Sequence, residues 1–155
     1  MLYVFCVLNL ITGALHANTL ESLQAANRKS EQSKTKRMQK AFAAHLRHVG
    51  RMYPREQFGR VVLTIDNAPW HRGKLIDEGL ADNPHLEFYR LPSYSPNLNV
   101  IERFWKKLRR RATHNRLFDM IADLKESIRA SLCYFQTIRG KVLTLINGRR
   151  KKSPK

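Results

Sequence analysis

A chain of 155 residues holds enough material for one hydrophobic core and little for a second domain. Its 29 lysines and arginines against 12 acids leave a formal charge of +17. That field favours polyanionic partners, nucleic acid first and an anionic membrane surface second, over charge that only solvates a surface. Cys6 and Cys133 have neither the paired spacing of a zinc site nor the density of a disulfide scaffold, which suits the cytoplasm. The apolar start, MLYVFCVLNLITGALHA, lacks a basic n-region and a good cleavage pattern, so export is not expected. No stretch reaches the roughly 18 apolar residues of a membrane-spanning helix.

LYVFCVLNL is rich in β-branched and aromatic residues, Gly13 supplies a turn, and ALHANTLES resumes a shorter strand pattern, which predicts a hairpin. Residues 27 to 40 are polar, then Phe42, Leu46 and Val49 fall near helical spacing. A helix with a frayed start is expected there, running into Gly50 and stopping before Pro54. VVLTI (61–65) is a continuous apolar run, read as a strand covered on both faces. LIDEGLA is a short helix candidate and LEFYRLP a strand ended by Pro92. From Asn99 the pattern turns helical, with Ile101, Phe104, Trp105, Leu108 and Ala112 on one apolar face and Lys106, Lys107, Arg109, Arg110 and Arg111 on the rest. Phe118, Ile121, Leu124, Ile128 and Leu132 repeat the period, and the chain ends in a basic tail, GRRKKSPK, expected to be disordered. The sum is an α/β domain over residues 1–140 with a basic stretch at 141–155.

Two acids stand where chemistry could use them. Asp66 closes VVLTI, and strand ends are where open α/β sheets present functional groups. A turn aspartate capping the next loop is the competing reading. Glu102 lies on the first turn of the helix that starts at Asn99, and a capping box with Asn99 or an ion pair with Lys106 would explain it without chemistry. Alternatively it shares a hard cation with Asp66 while the neighbouring cations hold phosphate. The histidines, His45 and His48 among them, lack partners at metal spacing and are read as surface residues.

Asp66 and Glu102 are separated by residues 67 to 101, 35 of them. The stretches IDNAPWH, LPSYSPNLNVIERFWKKLRR and THNRLF together resemble the catalytic domain of DDE transposases of the mariner-like bacterial insertion-sequence superfamily. The resemblance covers about residues 2 to 135, with Val100 standing where many relatives carry proline, a helpful but dispensable first helical residue. It implies a ribonuclease H-like fold, a mixed sheet flanked by helices, in which Asp66 and Glu102 are the second and third catalytic acids and ligate Mg²⁺ or Mn²⁺. Two such ions would drive in-line attack on a phosphodiester, in cleavage of transposon ends and in joining to target DNA. Asn67, His71 and Asn99 complete the motif loops, and Lys106, Arg109 and Arg110 are the DNA-binding candidates.

The family's first aspartate precedes the hairpin, yet no acid occurs here before Glu21. The first strand is therefore expected upstream of Met1, as in a truncated element or one half of a frameshifted pair. An upstream transposase fragment and a second copy of the chain are the protein partners this allows. The hairpin should then expose a sheet edge. The isolated chain is expected to bind DNA without strong sequence preference and to show little or no Mg²⁺-dependent cleavage. The rival reading is a non-enzymatic DNA-binding relic of a transposase. A basic ribonucleoprotein component gives no account of the paired motifs.

Overall fold

The computed structural model of the chain describes residues 3–19, 33–92 and 99–147. Residues 27–32 of the expected frayed start, the SYSPNL loop and the tail from residue 148 lie outside the described residues, whereas 34–40 are regular helix. The elements run in the order β1 (Val4–Leu8), β2 (Leu15–Thr19), α1 (Lys34–Met52), β3 (Val61–Ile65), α2 (Lys74–Ala81), β4 (Leu86–Arg90), α3 (Val100–Ala112), α4 (Ile121–Thr137) and α5 (Arg139–Asn147). This is the mixed α/β composition expected. The chain divides into two compact units, Met1–Phe5 with Asn18–Asn99, and Cys6–Ala17 with Val100–Lys155.

The hairpin turns where Gly13 predicts it. The Asn9 side chain accepts hydrogen bonds from the Ile11 and Thr12 amides, both at 2.9 Å, and the Gly13 amide bonds back to the Asn9 carbonyl at 2.9 Å. Gly13 adopts φ +69°, and a Cβ there would lie 2.5 Å from the Arg139 carbonyl oxygen, so both backbone and space demand glycine. Burial pushes the Cys6 thiol on β1 up, which keeps it protonated and unreactive.

In the first unit, α1 carries the core. Ser33 caps it by accepting the Lys36 amide hydrogen bond at 3.3 Å, and the helix passes through Gly50 before stopping ahead of Pro54. Met38, Phe42 and Leu46, four residues apart, form one stripe that packs with Phe5 and Ile76, and β3 and β4 add Leu63, Ile65 and Phe88. Gly79 of α2 sits against Ala43 and Leu46 of α1. A Cβ at Gly50 would run into the Asn83 side chain, whose amide donates to the Gly79 carbonyl at 2.9 Å. Gly50→Ala should therefore displace Asn83 and destabilise the fold by about 1–3 kcal/mol, the usual range for overpacking, as read from a urea unfolding curve. An unchanged midpoint would show that Asn83 swings aside freely.

β3 and β4 pair in parallel with Val61 opposite Leu86 and Ile65 opposite Arg90, linked by the α2 crossover that a parallel pair requires. The strand was expected to be covered on both faces, and it is not. Val61, Leu63 and Ile65 are half-buried, whereas Val62 is 52% exposed and Thr64 is exposed too. The run alternates in burial although Thr64 is its one polar residue, because helices cover one face only. The single mixed sheet is likewise replaced by two two-stranded sheets, β1–β2 and β3–β4. A local turn joins the first pair and a crossover the second, and no strand among the described residues bridges them, so each pair keeps unpaired edges.

Two histidines read as surface residues are buried. His45 is 1% exposed beside Phe5 and Phe42, and its Nδ1 meets the Asn18 amide at 3.0 Å. His85 is 7% exposed and its Nε2–H donates to the Tyr53 carbonyl at 2.7 Å. Each buries an aromatic ring while a partner distant in the chain meets one nitrogen, a contact that residue spacing does not announce.

In the second unit, α3 packs against both α4 and α5. Its predicted face holds: Phe104, Leu108 and Ala112 are buried, and Ile101 and Trp105 partly so. Leu132 and Phe135 of α4 and Val142 and Ile146 of α5 complete this core. The start of the next predicted helix differs, since α4 begins only at Ile121, and Leu117, Met120 and Ile121 are exposed. Residues 141–147 also differ, belonging to a packed helix rather than to a tail.

Candidate active-site loop and basic helix

Because β3 and β4 run in parallel, their C-terminal ends emerge together, and the segment after β3 is tied to the segment after β4. The Asn67 amide donates to the Leu91 carbonyl at 2.6 Å and its oxygen accepts from the Arg72 guanidinium at 2.9 Å. Asp66 continues the parity of Val62 and Thr64, the exposed side of the strand. Its Oδ1 accepts from the Ala68 amide at 3.0 Å and lies 2.9 Å from His71 Nδ1, while its side chain stays 52% exposed. The turn-cap reading of Asp66 is thus realised. The cap also orients the carboxylate: Oδ1 is held by the loop, and Oδ2 has no partner among the described residues.

His71 ends a 3₁₀ turn, Pro69–His71, with its ring 4.2 Å from that of Phe42 and its carbonyl accepting from Arg90 at 2.9 Å. Desolvation lowers its pKa, the opposing pull of Asp66 being weaker, so the ring is neutral at pH 7. The carboxylate beside Nδ1 selects the tautomer with the proton there, and the pair is a hydrogen bond between a neutral imidazole and an anion. Arg72 and Arg90, which brace the loop, went unnoticed in the sequence. Their only signal was a cation just after the motif and another at the end of β4.

The second acid belongs to the other unit. Glu102 is exposed on the first turn of α3, and its nearest cation is Arg109 at 3.8 Å rather than Lys106. Both side chains are largely solvated, so this ion pair is worth little. Asn99, half-buried, immediately precedes the helix. Arg109 Nε also donates to the Trp105 carbonyl at 3.4 Å. Lys106 and Arg110 are exposed and form no ion pair among the described residues. Arg103 donates to the Ile146 carbonyl at 2.9 Å, which anchors α3 to α5.

Asp66 thus stands at a strand end in one unit, and Glu102 on a basic helix in the other. Residues 16–125 match the family described as DDE superfamily endonuclease, and the chain belongs to that family. It is also 28% identical over 120 residues to a Shigella sonnei protein named "Insertion element IS630 uncharacterized 39 kDa protein". That match takes in 77% of this chain and 32% of the relative, so the chain spans about a third of the relative's length. No solved structure matches. The resemblance to insertion-sequence DDE transposases therefore holds at the level of the family. Among the described residues no three His, Cys, Asp or Glu side chains come together as a metal centre, and no helix is long and apolar enough to cross a membrane.

Proposed function

We propose that residues 1–140 are part of a ribonuclease H-like transposase catalytic domain, in which Asp66 and Glu102 are two carboxylates of a divalent-metal site and α3 binds DNA through Lys106, Arg109 and Arg110. The observation that carries this is Asp66 itself: it stands at the end of a parallel strand, clamped through Oδ1, with its side chain half exposed, inside a matched segment that also contains Glu102. Hard oxygen donors suit Mg²⁺ or Mn²⁺. The number of donors does not, since no third ligand accompanies them among the described residues. A divalent ion, when bound, would activate a nucleophile and stabilise the leaving oxygen of a phosphodiester. The chain's own residues do less: the Ala68 amide and His71 fix the orientation of Asp66, Asn67 and Arg72 hold the loop, and the cations of α3 take phosphate.

The chain alone is therefore a DNA-binding protein with a partial metal site, and strand cleavage by it should be weak or absent. Calorimetry with Mn²⁺ should give a binding heat that Asp66→Asn abolishes and Glu102→Gln reduces, while a supercoiled plasmid incubated with the protein and Mg²⁺ stays intact. Robust nicking lost in both variants would overturn the weak-cleavage statement and support the site. The second reading is a non-enzymatic DNA-binding relic, favoured by the absence of a third ligand among the described residues. It predicts the same heat for wild type and Asp66→Asn.

A further inference from the structure

We infer that the second unit carries a nucleotide-binding cleft between α3, α4 and α5, separate from Glu102. The cleft has a volume of about 790 Å³, within the roughly 300–1,000 Å³ of small-molecule sites. Its rim carries Lys107, Arg110, Arg111, Arg116 and Lys141, and no carboxylate lines it. Not one of these five cations forms an ion pair among the described residues. Its floor is apolar and aromatic, with Phe104, Phe135 and Val142. Between rim and floor, the Arg111 guanidinium lies over the Tyr134 ring, 3.6 Å from its centroid. Ser127 and Ser131 add hydroxyls; Ser127 donates to the Ala112 carbonyl at 2.7 Å and accepts from Arg116 at 3.2 Å.

An occupant of this cleft needs three properties: negative charge for the rim, a flat π-face for the Arg111–Tyr134 stack, and an apolar body for the floor. An inorganic anion has only the first and a fatty acid lacks the second. A nucleotide has all three, because bases stack on aromatic rings and on guanidinium planes alike. Helical geometry sets the cleft apart from the acid. At about 100° per residue, Lys107 and Arg111 stand roughly 140° and roughly 180° around α3 from Glu102, whereas Lys106 and Arg109 flank Glu102. The inference rests on the second unit alone and survives the failure of the metal reading. Two sources supply the ligand chemistry, a free nucleotide and an unpaired nucleotide of a DNA strand.

The test is run on the full chain in EDTA, so that no metal contributes. Calorimetry compares dAMP with inorganic phosphate, and fluorescence anisotropy compares a fully paired hairpin DNA with one bearing a single unpaired adenosine. dAMP should bind more tightly than phosphate. If the cleft serves a strand, the bulged hairpin gains over the paired one as well; if it serves free nucleotide, the two hairpins bind alike. Tyr134→Leu should weaken dAMP by about tenfold or more, the loss expected when a stacking platform is removed. Arg111→Lys, which keeps the charge and removes the plane, should erase the preference for dAMP over phosphate. Arg116→Gln with Lys141→Gln, both at exposed positions, should weaken both anions without unfolding the protein, as circular dichroism checks. Lys106→Gln with Arg109→Gln should leave dAMP binding as it was. Equal affinity for dAMP and phosphate, no dAMP binding at millimolar concentration, or an equal loss in the Lys106 and Arg109 variant would each overturn the inference.

Discussion

Replacing Lys106, Arg109 and Arg110 together by glutamine is expected to weaken binding to duplex DNA by about a hundred- to a thousandfold at roughly 0.1 M salt. Each phosphate neutralised contributes about 0.9 to the slope of log affinity against log salt, so three contacts remove about 2.7 from that slope, or roughly 500-fold between 1 M and 0.1 M. Arg109 should count for less than the other two, because Glu102 stands 3.8 Å away and competes for its guanidinium. The alternative is binding by net charge without a preferred surface. Three charges removed from +17 leave +14, and that change spread over the whole molecule would lower affinity only modestly. The triple variant should therefore lose several times more affinity than a control in which three cations of the first unit, such as Lys36, Arg51 and Arg55, are replaced. All three control positions are exposed. Salt titrations of both variants give the answer: an equal drop in slope would mean that α3 is no special surface. Asp66→Asn should leave the duplex slope unchanged, which separates phosphate binding from the metal reading.

α3 was legible in the sequence almost residue by residue, because a helix writes its buried face as a period of 3.6 and its solvent face as charge, and here both signals coincide. Asp66 was legible for a different reason: few acids occur, and one sits at the end of an apolar run with a polar loop behind it. What the sequence concealed depends on contacts far along the chain. VVLTI has one polar residue, Thr64, so period-two alternation could not be seen, and only the position of α1 decides that Leu63 is covered and Val62 is not. Phe118, Ile121 and Leu124 kept helical spacing, yet α4 starts at Ile121, which is 63% exposed, because periodicity records what could be buried and not what is. His45 and His85 follow the same logic, since each owes its burial to a partner 27 or 32 residues distant, Asn18 and the Tyr53 carbonyl. The bracing of the motif loop by Arg72 and Arg90 was hidden as well, because cations are so common in this chain that two more carry no signal.

Phe104→Ala should be among the most damaging single substitutions in the second unit, costing about 3–5 kcal/mol as large aromatic truncations in cores do. Phe104 is fully buried, its ring 5.2 Å from that of Phe135 in an edge-on arrangement and 5.5 Å from that of Trp105. Its loss removes the apolar area that holds α3 to α4 and leaves a void that neighbours on helix backbones cannot close. Much of a small domain's stability, about 5–15 kcal/mol in total, would go with it. Phe104→Leu should recover part of the loss, because the transfer term is largely restored while shape complementarity is not. Urea unfolding followed by tryptophan fluorescence reads the change directly, since Trp105 is the adjacent residue. A cost below about 1 kcal/mol would mean that the site collapses around the missing ring, against the range seen for well-packed cores. The same ring lines the nucleotide cleft, so a folded remnant of Phe104→Ala should lose dAMP binding, whereas phosphate binding at the rim should persist. Stability and ligand preference are therefore coupled through one residue: the side chain that seats the basic helix is also part of the floor on which a base would rest.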